Sequence, residues 1–366
     1  QRYAANKQIT LSHVKPFDNP QDRRMLVEDY LSNYLKELDR QHIEELISAE
    51  GANNPLFLKV VLSELRIFGA FAQLTEKIKN DFGTNPESAF IALLQRLEKD
   101  PVYSKVPPED SIPLFFGLLL HARHGLTAVE LTTLLQKNLP DMSYDWYEVF
   151  ESVQLILRQV KSFIGRREGR YYLFFESFQN AVRERYVNGT SGDPQFVSPS
   201  KTWHQLLADF FAEQPIFFMV DQGKTANKRK LAELPYQQAH AKLWEGLQTT
   251  LTDFNFIAAK MSVGWLERLM QDYEIAIAEG YPEHDLALIL DAIRMSIHVI
   301  QKDPAQTTSQ LIGRLFSADY QSIRGLLAQC QGWDEKAWLR PTISALNESG
   351  SALKRTISGF PHAIFA

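Results

Sequence analysis

The chain has 366 residues, a net charge of −5 with neutral histidines, and 45% hydrophobic residues. This length suits two or three domains, and the composition excludes disordered and fibrous classes. Membrane-spanning proteins are excluded as well, because no apolar run approaches the roughly 18 residues that a span needs. The negative charge argues against a generic nucleic-acid binder.

The number of cysteines and the identity of the first residue bear on the cellular compartment and on processing. The single cysteine, Cys330, excludes an internal disulfide framework and is expected to be a buried thiol in a protein of the reducing cytoplasm. The sequence starts at Gln1 with neither an initiator methionine nor a signal peptide, so we expect a piece of a longer protein.

Residues 1–107 are predicted to form a compact helical block after a short strand at residues 8–11. Helices are expected at residues 20–35, 41–49, 55–68, 74–80 and 87–97. The third of these is the most strongly marked. Asn53 or Asn54 can cap it, Pro55 suits its first turn because no N–H is needed there, and Gly69 ends it.

Residues 108–190 change pattern and predict a winged helix. Three helices, at 112–122, 128–135 and 146–161, precede a β-hairpin at 163–175 and a last helix at 177–186. Thr127 is a suitable cap for the second helix. The third helix is apolar on most of its surface, so we expect it to be buried against protein.

Residues 187–200 are rich in turn formers and predict a linker. Beyond them, residues 200–340 read as a helical-repeat arm whose short connections favour antiparallel neighbours. Its helices are expected at 201–213, 228–248, 254–261, 263–279, 283–301, 305–316 and 322–330. Residues 341–366 are a linker or the start of a further domain, with strands expected at 353–357 and 363–365.

Several short motifs occur in an order that resembles the NACHT-type branch of the STAND signalling ATPases. They are NPLFLK at 54–59, ELR at 64–66, LQRLE at 94–98, LPYQQA at 234–239 and LTDFNF at 251–256. The resemblance implies a mainly α fold: a helical lid domain (1–107), a winged-helix domain with one small β-hairpin (108–190), then a helical-repeat superhelix (200–340). It also implies that a WD-repeat β-propeller begins near residue 341.

The function implied by the resemblance is that of a conformational relay. The lid and winged helix would hold the protein's own nucleotide-binding domain closed on ADP, and exchange for ATP, with Mg²⁺, would release them for homo-oligomerisation in signalling or defence. The arm would couple this switch to a C-terminal sensor domain. No GxxxxGK[ST] phosphate loop is present, so the chain alone is not expected to hydrolyse ATP and has no predicted catalytic residue.

Four residues are candidates for contact with the nucleotide. Asn54 and Pro55 correspond to the turn that lies against the adenine in the family, where a proline ring offers a rigid apolar edge. Phe175 stands where the family commonly has a phosphate-binding histidine, with Glu176 beside it. Neither residue donates a hydrogen bond to phosphate at neutral pH, which is a departure from the family pattern.

Two other functions stay open. The chain can be a stand-alone helical scaffold that binds a protein partner, or a DNA-binding regulator that uses the wing arginines Arg166, Arg167 and Arg170. The apolar third helix disfavours DNA, since a reading helix needs a polar, basic outer face. His121 and His124 have metal-like spacing, but no nearby carboxylate or cysteine completes a zinc site.

Overall fold

The computed structural model describes residues 16–67, 78, 81–100, 105–141, 143–190, 197–220, 223–333 and 346–350. The fold class is mainly α, as predicted, with 67% helix, sixteen α-helices and two small antiparallel sheets in this part of the chain. The chain divides into two compact units. Unit 1 comprises residues 1–120 and 126–197, and unit 2 comprises residues 121–125 and 198–366.

Unit 1 contains eight α-helices within its described residues. They are α1 (Pro20–Ser32), α2 (Arg40–Ser48), α3 (Pro55–Ile67), α4 (Pro86–Leu97), α5 (Pro108–His121), α6 (Ala128–Asn138), α7 (Trp146–Gln159) and α8 (Glu176–Arg183). The helix starts follow the predicted caps. Asn19 accepts a hydrogen bond from the Gln21 N–H, and Thr127 forms a capping box with Glu130.

A three-stranded antiparallel sheet lies among the later helices of unit 1. Its strands β1 (Leu126–Thr127), β2 (Ile164–Arg167) and β3 (Arg170–Leu173) are ordered β1-β3-β2. The predicted hairpin is therefore present, and its turn places Glu168 and Gly169 at φ +53° and +78°, the conformation that tight hairpin turns require. The predicted burial of α7 is confirmed for one face, on which Val149, Val153 and Ile156 are fully buried.

Unit 2 contains the remaining helices and a second hairpin. Its described elements are α9 (Ser200–Ala212), β4 (Phe217–Val220), β5 (Gly223–Ala226), α10 (Lys228–His240), α11 (Trp244–Leu251), α12 (Phe254–Ser262), α13 (Leu266–Ala278), α14 (Asp285–Ile300), α15 (Thr307–Leu315) and α16 (Gln321–Gln331). The apolar faces of α10 to α16 share one core. Cys330 is buried in it, as predicted, and burial raises the pKa of its thiol.

Two expectations for this unit are wrong. The single helix predicted at residues 228–248 is two helices, because Lys242 adopts a left-handed backbone with φ +57° and the Leu243 N–H turns back to the Gln238 carbonyl. The β4–β5 hairpin occupies a segment in which no strand was predicted. Asn227 closes it by donating its backbone N–H to the Ile216 carbonyl at 2.8 Å, then caps α10 with its side chain.

Other predicted elements fall outside the described residues. They are the strands at 8–11, 353–357 and 363–365, and nearly all of the helix at 74–80. Within the described residues, no helix has both the length and the apolar character required to cross a membrane.

Candidate functional site

The start of α3 carries the first pair of candidate residues. Asn54 accepts a hydrogen bond from the Leu56 N–H at 2.9 Å through its Oδ1 atom, and Pro55 follows as the first helical residue. Both side chains are exposed. The proline ring is therefore a rigid apolar group at the surface, as the sequence predicts for this turn.

The approach to this helix depends on Gly51. A Cβ atom there would lie 2.8 Å from both the Phe57 ring and the Thr84 carbonyl oxygen, closer than Cβ atoms approach non-bonded neighbours in folded proteins. Phe57 is itself buried in the core of unit 1. Glycine therefore allows the chain before α3 to pack directly on the core and to present Asn54 and Pro55 outward.

The second pair of candidate residues lies where β3 leads into α8. Phe175 is the residue before the helix, and its ring is half-buried, while Glu176 is the first helical residue and is exposed. No side chain caps this helix. Its first N–H groups therefore present the positive end of the helix dipole beside Phe175.

Lys59 connects the two pairs. It follows Pro55 by four residues, so both side chains lie on one face of α3. Its Nζ atom lies 5.7 Å from the ring centroids of Phe163 and Phe175, and it donates a hydrogen bond to the Ser162 carbonyl at 3.2 Å. The structure thus brings together two stretches that are far apart in sequence. We call Asn54, Pro55, Lys59, Phe175 and Glu176 the α3–α8 surface.

Lys59 is the residue that sequence reasoning missed. Its spacing of four from Pro55 indicates that it shares the exposed face, and that signal is readable in the sequence. Its contacts with Ser162 and Phe175 are not readable, since they depend on the packing of distant elements. Lys59 therefore places a positive charge and a hydrogen-bond donor close to Phe175, whose side chain has neither.

Helix α4 packs against the elements that carry the α3–α8 surface. Phe90 stacks on Phe178 of α8 with ring centroids 4.4 Å apart, and meets Phe163 edge-on at 5.3 Å. Asn180 donates a hydrogen bond to Glu87 at 2.6 Å. These contacts fix α8 against α4, so the direction of Phe175 is set by the core rather than by a flexible loop.

Buried ionic groups complete the attachment of α4. Arg185 pairs with the carboxylate of Glu98 through Nε and Nη2, and the Tyr186 hydroxyl donates to the same carboxylate at 2.6 Å. Burial, and then the charge of Glu98, raise the pKa of Tyr186 well above its ordinary value, so the hydroxyl stays protonated. Nearby, Arg96 pairs with Glu64, which is almost fully buried.

The wing arginines are partly engaged within the hairpin. Arg170 pairs with Glu168, and the Arg166 guanidinium lies 5.3 Å from the Tyr171 ring. Arg167 is exposed. The face of α7 that carries Val149, Val153 and Ile156 is buried, so that face is not available to a DNA groove.

Unit 2 contains a buried polar cluster that the sequence did not predict. The backbone N–H groups of Arg123 and His124 donate to the carboxylate of Glu233, which is fully buried. Arg123 also pairs with Asp272 at 3.3 Å, and Asp272 pairs with Lys260. Lys260 and Asp272 are 1% and 0% exposed, so both charges are removed from water.

Histidines adjoin this cluster. His204 shares a 2.6 Å hydrogen bond with the Gln237 side chain, and its ring meets those of His121 and His240 at 4.9 and 5.0 Å. Burial lowers the pKa values of His204 and His240. In the described part of the chain no group of three histidine, cysteine, aspartate or glutamate side chains is arranged to hold a metal ion.

No protein-family model matches the chain. Among known proteins, it is 26% identical to a TPR repeat-containing protein of Dictyostelium discoideum over 66% of the chain, and 25% identical to NACHT domain- and WD repeat-containing protein 1 of Homo sapiens over 96% of the chain. It is also 23% identical to telomerase protein component 1 of Rattus norvegicus over 78% of the chain.

The chain matches only a small part of each of these relatives: 13% of the first, 24% of the second and 11% of the third. Their names support a relation to NACHT-containing or repeat-containing proteins. At that coarse level the resemblance found in the sequence is confirmed.

Proposed function

We propose that the chain is the regulatory middle region of a STAND, NACHT-like NTPase. In this role it relays the ADP or ATP state of a nucleotide-binding domain into oligomerisation. The observation that carries the proposal is the α3–α8 surface, where Pro55 and Phe175 lie near one lysine, Lys59. The similarity to a NACHT-named protein along nearly the whole chain supports it.

The residues of this surface suit a nucleotide. The exposed Pro55 ring offers an apolar edge to a purine, and Lys59 offers positive charge and hydrogen bonds to phosphate oxygens. The uncapped start of α8 adds N–H groups of the kind that bind anions. Glu176 opposes an anion, so Lys59 and the helix start would carry the phosphate contact.

The relay requires that the surface discriminate between two nucleotide states. A switch moves only if its contacts differ in free energy between ADP and ATP, and the terminal phosphate is the chemical difference. The Lys59 Nζ atom lies 5.7 Å from the centroid of the Phe175 ring. It would bind the phosphates directly, while Pro55 would orient the base. Mg²⁺ would be held outside this surface.

A stand-alone scaffold is the second candidate function. The similarity to a TPR repeat-containing protein, together with the shared core of the unit 2 helices, favours it. Helices of this kind bind partners through their exposed faces and need no nucleotide. The two candidates therefore differ in one measurable property, the binding of ADP or ATP.

The test is calorimetric titration of the full-length protein with ADP and ATP. We expect Pro55→Asp and Lys59→Ala each to weaken binding by roughly tenfold or more, because each removes a direct contact to base or phosphate. Pro282→Asp and Lys302→Ala are matched controls, since both side chains are exposed in unit 2. They should bind nucleotide as the wild type does.

Circular dichroism of each variant separates loss of a contact from loss of fold. An intact spectrum with unchanged affinity in both Pro55→Asp and Lys59→Ala would overturn the nucleotide role of the α3–α8 surface. Absence of any ADP or ATP binding by the full-length protein would leave the scaffold as the function.

A further inference from the structure

A cleft of about 600 Å³ lies within unit 2, beside the junction of α10 and α11. Its volume falls in the range of about 300–1,000 Å³ that is typical of ligand sites. The lining residues come from α9, from the end of α10 and its turn, and from α11: Ala208, Asp209, Ala212, Gln238, Lys242, Leu243, Trp244, Glu245 and Gly246.

Small residues and one strained turn create this space. Ala208 and Ala212 are one turn apart on α9, so that side of the cleft has little side-chain bulk. Lys242 takes the left-handed conformation that ends α10. Across the turn, a Cβ atom on Gly246 would lie 3.1 Å from the Gln238 Nε2 atom, so glycine lets α11 pass close to the Gln238 side chain.

Gln238 is the most buried polar side chain of the cleft, with 6% of its surface exposed. Its Oε1 atom has no hydrogen-bond partner among the described residues. A buried acceptor without a partner costs free energy, and native proteins seldom keep one without a reason. This oxygen is covered in the cleft, so a donor would reach it after rotation of the Gln238 side-chain amide, and the hydrogen bond would then remove the cost.

The charged groups of the cleft leave a surplus of negative charge. Asp209 and Glu245 are exposed carboxylates, and neither forms an ion pair within the part of the chain that is described. Burial, and then the neighbouring Glu213, raise the pKa of Asp209. Lys242 does not balance them, because its Nζ atom is held by the Glu279 carboxylate at 2.6 Å.

Trp244 provides an aromatic wall. Its ring is half-buried and meets Tyr281 edge-on, with centroids 5.9 Å apart. The Lys242 Nζ atom lies 5.3 Å from the Trp244 ring centroid, and aromatic rings attract cations of this kind.

We propose that this cleft binds a guanidinium group, carried by an arginine side chain of a partner polypeptide. A guanidinium is planar and has five N–H donors, which suits two carboxylates and one amide oxygen better than a compact ammonium does. It also stacks on an aromatic ring. The cleft exceeds the size of one side chain, which leaves room for the neighbouring peptide backbone.

The test is competition against a labelled peptide, Ala-Gly-Arg-Gly-Ala, bound to the whole chain and followed by fluorescence anisotropy. The unlabelled competitors are the same peptide with arginine, with citrulline or with lysine, and free L-arginine. Citrulline keeps the shape of arginine and removes its charge. We expect the citrulline peptide to bind roughly tenfold more weakly and the lysine peptide to be intermediate.

The competition distinguishes a guanidinium group carried by a polypeptide from one carried by free arginine. Free arginine that competes better than the arginine peptide would overturn the polypeptide part of the proposal. Equal binding of the arginine and citrulline peptides would overturn the proposal that the cleft binds a guanidinium group. The proposal would also be overturned if none of these probes bound.

Two variants tie the binding to the cleft. Gln238→Leu should weaken the arginine peptide roughly tenfold while the urea midpoint stays the same or rises, since leucine removes an unpaired buried acceptor. Asp209→Asn should weaken it severalfold without affecting the fold, because the side chain is exposed. Glu267→Gln, an exposed carboxamide substitution on α13, is the control. Wild-type binding by both cleft variants would contradict the proposal.

Discussion

The two units use lysine in opposite ways. In unit 1, Lys59 lies on the exposed side of α3, and its ammonium group donates a hydrogen bond to the carbonyl oxygen of Ser162. In unit 2, Lys260 is 1% exposed and pairs with Asp272, which also accepts Arg123. The first lysine is exposed, whereas the ammonium group of the second is removed from solvent and pairs with a carboxylate.

This difference distinguishes a lysine that stabilises the fold, Lys260, from one that is exposed to a ligand, Lys59. A buried, paired charge cannot meet a ligand without breaking its pair, so the Lys260–Asp272 pair is part of the framework of unit 2. The exposed ammonium group of Lys59 donates one hydrogen bond to the protein, so its other N–H groups can bind a ligand. The contrast predicts opposite costs when each lysine is replaced by the same residue.

The largest expected effect is that of Lys260→Met. It leaves the Asp272 carboxylate buried with Arg123 as its remaining ion-pair partner among the described residues, so the free energy of unfolding should fall by about 3 kcal/mol. Lys59→Met, the matched variant, should change the free energy of unfolding by less than about 0.5 kcal/mol. Urea unfolding, with hydrogen exchange of peptides from α12 and α13, measures both. Equal costs would contradict the comparison.

Unit 1 also buries an ionic group, the Glu98 carboxylate with its partners Arg185 and Tyr186. Tyr186→Phe removes the hydroxyl that donates to Glu98 at 2.6 Å but keeps the ring in the core. Because the acceptor is a charged group, we expect a loss of about 1.5 kcal/mol in the free energy of unfolding. Tyr147→Phe is the control, since Tyr147 is 74% exposed and should show no change. A null result at Tyr186 would mean that Arg185 alone satisfies the carboxylate.

Local signals explain which parts of the fold were predictable. The predicted starts of α1, α3 and α6 are confirmed because their caps, Asn19, Asn54 and Thr127, act within a few residues of themselves. The division between α10 and α11 was not predictable in the same way. It depends on a positive φ at Lys242, a residue type that carries no preference for that conformation.

The residues of the candidate site differ in the same way, since some depend on local sequence signals and others on long-range packing. Asn54 and Pro55 were identifiable because a cap and a first-turn proline are local features. The contacts of Lys59 with Ser162 and Phe175 were not identifiable, since they form only when distant parts of unit 1 pack together. Gln238 is a similar case: its unpaired oxygen is a property of packing around α10, and nothing in the sequence near it predicts that.

The smallest expected effect concerns the histidines beside the buried cluster of unit 2. Burial lowers the pKa of His204 below the unfolded value of about 6.5, and the facing groups are His121, His240, Tyr236 and Glu279. Below that pH the unfolded chain binds a proton that the folded chain does not. The stability is therefore complete above about pH 6.5 and falls as the pH is lowered through the folded pKa.

His204→Gln removes one of these titrating groups, so the loss of stability between pH 7.5 and 5.5 should be smaller in the variant than in the wild type. The same variant at pH 7.5 serves as the internal control, because lost packing lowers the urea midpoint equally at both pH values. A pH dependence identical to that of the wild type would show that His204 is protonated alike in both states. Burial would then oppose the charged forms of Lys260 and Asp272 but would not affect the protonation of His204.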